Sequence, residues 1–138
     1  MDETVRSLVR ERAGNRCEYC RLPQRAVDGR FQVEHIIARQ HTIDDSLGNL
    51  ALACDRCNLF KGPNLSSIDP DTGEIVRLFH TRQDQWSVHF EIRGDRIIGL
   101  TSSGRATVQL LQFNAKRRVE LRSALSAAGD LPDEGDTR

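Results

Sequence analysis

Two Cys-x-x-Cys pairs constrain this chain more than any other feature of its sequence. Cys17 and Cys20 form the first pair, and Cys54 and Cys57 form the second pair after 33 intervening residues. Each pair brings two thiolates to a single ion, and four thiolates complete a tetrahedral zinc site without an open coordination position. Four buried free thiols are the alternative, but they would require two identical spacings to arise by chance. We therefore predict a structural zinc ion.

The charge of the chain does not by itself select a partner. Its 20 basic and 20 acidic residues cancel, although nearly all the cations are arginines, whose planar fork suits phosphate oxygens. Residues 77–122 are locally basic, a pattern more typical of a solvated surface than of a binding face when charge is considered alone. Charge therefore leaves the class of partner open.

The 138 residues are enough for one compact domain and too few for two ordinary ones. The N-terminal stretch is charged and helical rather than signal-like, and no apolar run is long enough to span a bilayer. These features predict a soluble, cytoplasmic protein. Cysteines stay reduced in that compartment, which favours metal thiolates over disulfides.

The apolar pattern around the cysteines predicts helices mixed with strands. Residues 3–14 carry apolar positions at helical spacing and predict one amphipathic helix. Residues 31–37 and 50–53 predict two antiparallel strands joined by a polar loop. A short helix follows, with Asp55 as its N-cap and its end at Gly62-Pro63. The sequence thus predicts a strand, loop, strand, helix unit next to both cysteine pairs.

The second half of the chain predicts a smaller β/α extension. Residues 66–73 are rich in turn formers and predict a seam between subdomains. Three strand-like runs follow it, at 74–79, 87–93 and 96–101. A tight Gly94-Asp95 turn joins the last two. Residues 105–125 predict helical structure with a break near Asn114. We expect one domain over 1–126, with a core at 15–64 and an extension at 74–126, and an acidic, disordered tail at 127–138.

Four short segments together resemble the HNH endonuclease family, also called His-Me finger or ββα-metal nucleases. The segments are CEYC from residue 17, VEHI from residue 33, GNLALAC from residue 48 and CDRCNLFKG from residue 54. The resemblance covers about residues 17–64 and aligns the three signature positions with His35, Asn49 and Asn58. It implies a ββα-metal core. Together with the zinc site and the pattern of the second half, the predicted fold class is α+β, with this core followed by a small antiparallel β segment and a C-terminal helix.

The resemblance also implies roles for the residues of this segment. An imidazole accepts a proton near neutral pH, so His35 is predicted to be the general base that activates water. Glu34 and Asn58 replace the more common Asp and His of the family, and both keep an oxygen donor that favours Mg²⁺ or Mn²⁺. Adjacent strand residues face opposite sides, so Glu34 can join the metal only if the strand ends there. Asn49 is expected to hold the loop that presents His35.

Several residues outside the signature are candidates for nucleic-acid contacts. Lys61, His80 and Arg82 are predicted phosphate contacts, with a solvated helix end an equal alternative for Lys61. Trp86 and His89 are expected to be structural. The basic residues that either follow a nucleic-acid backbone or face water are Arg105, Lys116, Arg117, Arg118 and Arg122.

The resulting prediction is a divalent-metal-dependent endonuclease that hydrolyses phosphodiester bonds in DNA, with structural Zn²⁺ and catalytic Mg²⁺ or Mn²⁺. One alternative is a zinc-binding nucleic-acid module that uses the same scaffold without catalysis. A second alternative is a protein-interaction domain whose arginines are only solvated. The sequence does not define the oligomeric state or the target sequence.

Overall fold

A computed structural model describes residues 1–129 and shows an α+β fold. The helices are α1 (Glu3–Arg12), α2 (Asp55–Lys61), α3 (Trp86–His89), α4 (Ser102–Leu110) and α5 (Lys116–Ala127). The strands are β1 (Gln32–His35), β2 (Leu50–Ala53), β3 (Ser66–Ile68), β4 (Ile75–Arg77), β5 (Phe90–Arg93) and β6 (Arg96–Gly99). The tail predicted for 127–138 lies outside the described residues from Asp130 onward. No helix within residues 1–129 is long and apolar enough to cross a membrane.

The hairpin of β1 and β2 is antiparallel, as predicted, and pairs His35 with Leu50. All four residues of β2 are buried, because the strand is covered on both faces and its outer edge is also occupied. Glu18, inside the first cysteine pair, donates its backbone N–H to the Leu52 carbonyl at 2.8 Å. The hairpin is thereby joined directly to the first cysteine pair.

Helix α1 packs across this hairpin. Asp2 caps the helix by accepting a hydrogen bond from the Val5 N–H at 2.9 Å, and Val9 is fully buried. The Arg10 and Arg12 side chains donate to the carbonyls of Phe31 and Leu50. The helix predicted for residues 3–14 is confirmed except for its last two residues, which form the turn into the first cysteine pair.

The predicted seam at residues 66–73 is wrong in part, because its first three residues form β3 and pair with β4. Only the connection between β3 and β4 forms a turn, as its turn-forming residues predict. Asp69 lies at its start, is fully buried, and accepts a bidentate hydrogen bond from Arg105 at 2.8 and 2.9 Å. This hydrogen bond lowers the pKa of Asp69 to about 2. The ion pair joins the β3–β4 ribbon to α4.

The strand predicted over 87–93 begins only at Phe90, because Trp86–His89 forms the short helix α3. The Trp86 indole is buried and donates its Nε1–H to the Tyr19 carbonyl at 2.8 Å. A long-range contact therefore overrides the local β preference of this segment. The predicted hairpin of β5 and β6 around Gly94 is confirmed, with Gly94 at a positive φ of 61°.

The extension packs on the zinc-binding half through aromatic side chains. Phe90 lies between Phe79, Trp86 and Phe113, with ring centroids 5.0–5.7 Å apart. These rings belong to the same buried cluster as Cys17, Cys54 and the residues of β2. The two halves of the chain therefore share one hydrophobic core.

The break predicted near Asn114 is confirmed, since α4 ends at Leu110 and α5 starts at Lys116. The Asn114 side chain accepts a hydrogen bond from the Ile97 N–H and donates one to the Ile97 carbonyl, at 2.9 and 2.8 Å. It thus pairs with β6 as a further strand residue would, and the chain cannot continue as a helix through it. This contact also places the start of α5 beside the cysteines.

Candidate functional site

The four cysteines form a cluster whose sulfur atoms all lie within 4.8 Å of one another. All four side chains are buried, and the Cys20 and Cys54 sulfurs are 3.7 Å apart. A tetrahedral zinc ion with Zn–S bonds of about 2.3 Å requires sulfur atoms about 3.8 Å apart. The donor set and its spacing therefore fit a zinc ion with four thiolate ligands, and this cluster indicates a structural zinc site.

Each cysteine pair is held by a backbone turn. In the first turn the Arg21 N–H donates to the Cys17 carbonyl at 2.9 Å, and Arg21 adopts a positive φ of 69°. The second pair opens α2, where Cys54 rather than Asp55 is the N-cap residue. The prediction that Asp55 caps this helix is wrong by one residue, because Cys54 takes the extended conformation that turns its sulfur into the cluster.

Arg118 also belongs to this site, although the sequence analysis placed it among the basic residues that either follow a nucleic-acid backbone or face water. It lies on α5 and donates to the Cys57 sulfur at 3.1 Å and, more weakly, to the Cys54 sulfur at 3.8 Å. It also donates to the Leu111 carbonyl at 2.7 Å. Four thiolates and one Zn²⁺ carry a net charge of −2, so a guanidinium in hydrogen-bonding contact stabilises the complex.

Three of the five basic residues expected to contact phosphate or water have protein partners instead. Besides Arg118, Arg105 binds Asp69, and Arg122 is buried and donates to the carbonyls of Asp95 and Phe113. Lys116 and Arg117 are exposed. The choice between a phosphate contact and a solvated surface therefore stays open for those two residues alone.

We predict that Arg118→Met weakens zinc binding about 10–100-fold, which is the usual effect of losing a partner of a metal ligand. The measurement is the rate of zinc transfer to a colorimetric chelator, compared with the parent protein. Arg117→Met is the matched control because its side chain is exposed on the same helix turn. Equal transfer rates for the two variants would show that the Arg118 contact does not support the zinc site.

His35 ends β1 and points its imidazole toward the loop between the hairpin strands. Its Nε2 lies 2.7 Å from Asp45 Oδ1, and its side chain is 19% exposed. Arg39 holds the same carboxylate at 2.9 and 3.0 Å, and the hydrogen bonds of His35 and Arg39 lower the pKa of Asp45. A carboxylate only accepts, so a neutral His35 carries its proton on Nε2 and a lone pair on Nδ1.

Asp45 is a member of this site that the sequence analysis did not single out. The only signal was its position in the polar loop that follows His35. Such a loop residue can reach the imidazole in many conformations, and the spacing of ten residues does not select one of them. The loop conformation, and with it the contact, comes from tertiary structure.

Asn49 holds that loop from inside the protein. It is buried, its Oδ1 accepts a hydrogen bond from the Ile37 N–H at 2.9 Å, and its Nδ2 donates to the carbonyls of Ile37 and Asp44 at 3.0 and 2.8 Å. Three hydrogen bonds from one side chain thus connect both ends of the loop. The catalytic importance of this arrangement stays a prediction.

Glu34 faces the side of β1 opposite to that of His35 and is buried against α2. Its Oε2 lies 3.6 Å from the Lys61 Nζ. Burial raises the pKa of Glu34 to about 7, although Lys61 and the nearby Tyr19 hydroxyl act in the opposite direction. Neither the hydroxyl nor Glu34 Oε1 makes a well-formed hydrogen bond with any described residue. This carboxylate oxygen therefore has the Tyr19 hydroxyl nearby without a well-formed hydrogen bond to it.

The prediction that Lys61 contacts phosphate is not supported by its position. The side chain is 3% exposed and donates to the Ile36 carbonyl at 2.7 Å while it pairs with Glu34. A buried ammonium held by two acceptors is not available to a ligand in solvent. Lys61 instead fixes the C-terminal end of α2 against the end of β1.

Asn58 lies one turn before Lys61 and therefore on the same face of α2. Its side chain is half-buried and makes no hydrogen bond to any residue within 1–129. Because Lys61 contacts Glu34, this helix face is directed toward β1. Asn58 is thus directed toward β1, while Glu34 lies on the side of β1 opposite His35, so the joint role of these three side chains stays a prediction.

The predicted phosphate contacts in the second half of the chain have other partners. Arg82 forms an ion pair with Glu18, and burial lowers the pKa of Arg82 to about 10. His80 uses its Nδ1 to accept the backbone N–H groups of Arg82 and Gln83, at 3.1 and 3.2 Å. The ring thereby closes a turn, and burial lowers its pKa. Neither side chain is brought into hydrogen-bonding contact with His35.

An antiparallel hairpin followed by a short helix, with a histidine at the end of the first strand, defines a ββα-metal domain. The model of the HNH endonuclease family matches residues 17–64, about a third of the chain. The resemblance inferred from the four segments is confirmed for this region, which is an HNH-type domain. This family implies nucleic-acid binding. No curated protein and no solved structure matches the chain significantly.

Proposed function

We propose that this protein is a divalent-metal-dependent endonuclease that hydrolyses phosphodiester bonds in DNA. The observation that supports the proposal most directly is the pairing of His35 Nε2 with Asp45 at 2.7 Å in a partly exposed position. This contact directs the Nδ1 lone pair away from the carboxylate. A histidine oriented by a carboxylate has the arrangement expected of a general base.

His35 would take a proton from the water that attacks phosphorus. The imidazolium that forms is stabilised by Asp45, which lies at hydrogen-bond distance and is itself held by Arg39. Asn49 keeps the loop carrying Asp45 in place. His35 binds and moves the proton, and the surrounding residues prevent its ring from rotating away from the substrate.

Glu34 and Asn58 would hold the catalytic ion, for which their oxygen donors favour Mg²⁺ or Mn²⁺. The hydrogen-bonding deficit of Glu34 Oε1 fits a cation ligand, and a cation would favour the ionised form of a carboxyl whose pKa is about 7. Such an ion supplies charge stabilisation for the phosphate and its leaving oxygen. Lys61 lies 3.6 Å from Glu34 Oε2, so the ion would bind the other oxygen.

Cleavage of supercoiled plasmid by the zinc-loaded protein tests the ion-binding residues. We expect Asn58→Ala and Glu34→Gln to raise the Mn²⁺ concentration for half-maximal cleavage at least about 10-fold, because each removes an oxygen ligand. Asn64→Ala is the matched control, since that side chain donates to the Lys61 carbonyl just beyond α2. An unchanged Mn²⁺ requirement in both site variants would remove these residues from the ion site.

One observation favours a catalytically silent nucleic-acid module instead. Lys61 already pairs with Glu34, and a buried carboxylate that is neutralised by an ammonium has less need of a metal ion. A parent protein that binds DNA but does not cut it with Mg²⁺, Mn²⁺ or any other divalent ion would establish this second function.

A further inference from the structure

A cleft of about 250 Å³ lies beside the zinc site, away from His35 and Asp45. Its walls come from the loop before β1, the first turn of α2 and the first turns of α5. We name it the arginine cleft after the three side chains at its rim, Arg30, Arg56 and Arg117. Its volume is close to the lower end of the range for small-ligand pockets, about 300 Å³.

The three rim arginines are exposed, and none has an ion pair or hydrogen bond with another residue of the described part of the chain. Two carboxylates, Asp28 and Asp55, also line the cleft, so the rim has a net positive charge. Most other arginines of the described chain have an ion-pair or hydrogen-bond partner within it. An anionic ligand can therefore bind these guanidinium groups without displacing an internal partner.

The zinc site does not absorb this positive charge. The thiolate complex carries two negative charges, and the guanidinium groups of Arg118 and Arg122 lie between it and solvent at the base of the cleft. Arg118 contacts the sulfurs directly, while both arginines are substantially buried. The charge of the rim is therefore in excess of what the zinc complex needs.

The floor of the cleft is apolar and is formed by Val27, Phe31 and Leu121. A ligand that combines a flat apolar body with a phosphate matches an apolar floor below an arginine rim. A nucleotide within a nucleic-acid strand has that combination, because its base has two π faces and its phosphate binds guanidinium forks. Inorganic anions alone would leave the floor uncovered.

The position of the cleft along β1 relates it to the candidate catalytic residue. Phe31 lies four residues before His35, which at about 3.3 Å per strand residue places the two Cα atoms about 13 Å apart. That distance corresponds to the axial rise of about four base pairs of a duplex, at about 3.4 Å each. A nucleic acid with its scissile phosphate at His35 is long enough to reach the cleft.

We propose that the arginine cleft binds the nucleic-acid strand that flanks the scissile phosphate, with a base on the apolar floor and phosphates on the arginine rim. This inference rests on the proposed function and deepens it, because it assigns a second contact region to the same substrate. It also gives a structural reason for the C-terminal extension, since α5 supplies one wall.

Binding without cleavage provides the test. The probe is a fluorescein-labelled 20-nucleotide DNA, single-stranded or annealed, and the full-length zinc-loaded protein is titrated in the absence of Mg²⁺ and Mn²⁺. We expect Arg56→Gln combined with Arg117→Gln to weaken binding about 10-fold or more and to reduce the salt slope by about two. Arg6→Gln combined with Arg96→Gln is the charge-matched control at exposed positions outside the cleft.

Each outcome decides the inference. Equal affinities and salt slopes for the two double variants would overturn it, as would polyglutamate displacing the DNA at equal charge concentration, which would assign the cleft to an acidic polypeptide. A cleft-dependent affinity in a protein that never cuts DNA would sustain the binding site and reject the nuclease. Cleavage by the parent, together with unchanged DNA binding by the double variant of Arg56 and Arg117, would reject the binding site and sustain the nuclease.

Discussion

If the proposed function is correct, we expect His35→Ala to reduce metal-dependent DNA cleavage by about 10²–10⁴-fold, which is the usual contribution of a positioned general base. The loss should appear in kcat, because the imidazole acts on the attacking water and not on substrate binding. Affinity for a DNA oligonucleotide, measured in the absence of Mg²⁺ and Mn²⁺, should stay within a factor of about two of the parent. Single-turnover cleavage with excess enzyme provides the rate.

The control for this variant is His41→Ala. His41 lies six residues later in the same loop and is exposed, and its imidazole hydrogen-bonds only the Pro63 carbonyl, at 2.9 Å, among the residues described. It should keep nearly full activity. Asp45→Asn should give an intermediate loss, because the amide leaves the ring in place but no longer stabilises an imidazolium. A His35→Ala protein as active as the His41→Ala protein would rule out His35 as the base.

Loss of the zinc ion is expected to unfold the protein. Structural zinc contributes on the order of 10–16 kcal/mol in small domains, which equals or exceeds a typical total stability of about 5–15 kcal/mol. The ion joins the turn before the hairpin to the helix after it, and β2 of the hairpin is completely buried. Cys57→Ser, or dialysis of the parent against a strong chelator, should therefore remove most of the folded population at 25 °C.

Trp86 provides the measurement because it is the single tryptophan of the chain. Its indole is buried and bonded to the carbonyl of Tyr19, which lies within the first cysteine pair. Zinc loss should shift its emission to longer wavelength and abolish the near-ultraviolet circular dichroism, and added zinc should restore both. Cys57→His is the control variant, since a Cys₃His site also binds zinc. An unchanged emission spectrum after verified zinc removal would contradict a folding role for the ion.

The zinc site and the proposed ion-binding residues are coupled through α2. Cys57 and Asn58 are adjacent on this helix, and Lys61 anchors its other end to the Ile36 carbonyl and Glu34. A displacement of the zinc-bound end therefore moves Asn58 relative to β1. Variants of the zinc site should consequently be assessed for folding before their nuclease activity is interpreted.

The sequence by itself determined the parts of this protein that depend on short-range pattern. Two equal cysteine spacings predicted the thiolate cluster, because a turn of two intervening residues brings each pair of sulfurs together. Short apolar runs around Val33 and Leu52, separated by a polar loop, predicted the hairpin, since such runs are typical of buried strands. The same local logic predicted the turn at Gly94 and the helix break at Asn114.

Tertiary structure decided which polar side chains face the site and which are used internally. Arg118 contacts Cys57, which lies 61 residues earlier in the sequence, and no periodic sequence pattern predicts such a contact. Lys61, Arg82 and Arg105 were candidate phosphate ligands, because the sequence does not show whether a basic side chain is paired within the protein. Burial and the nearest carboxylate distinguish them, and both quantities exist only after the chain has folded.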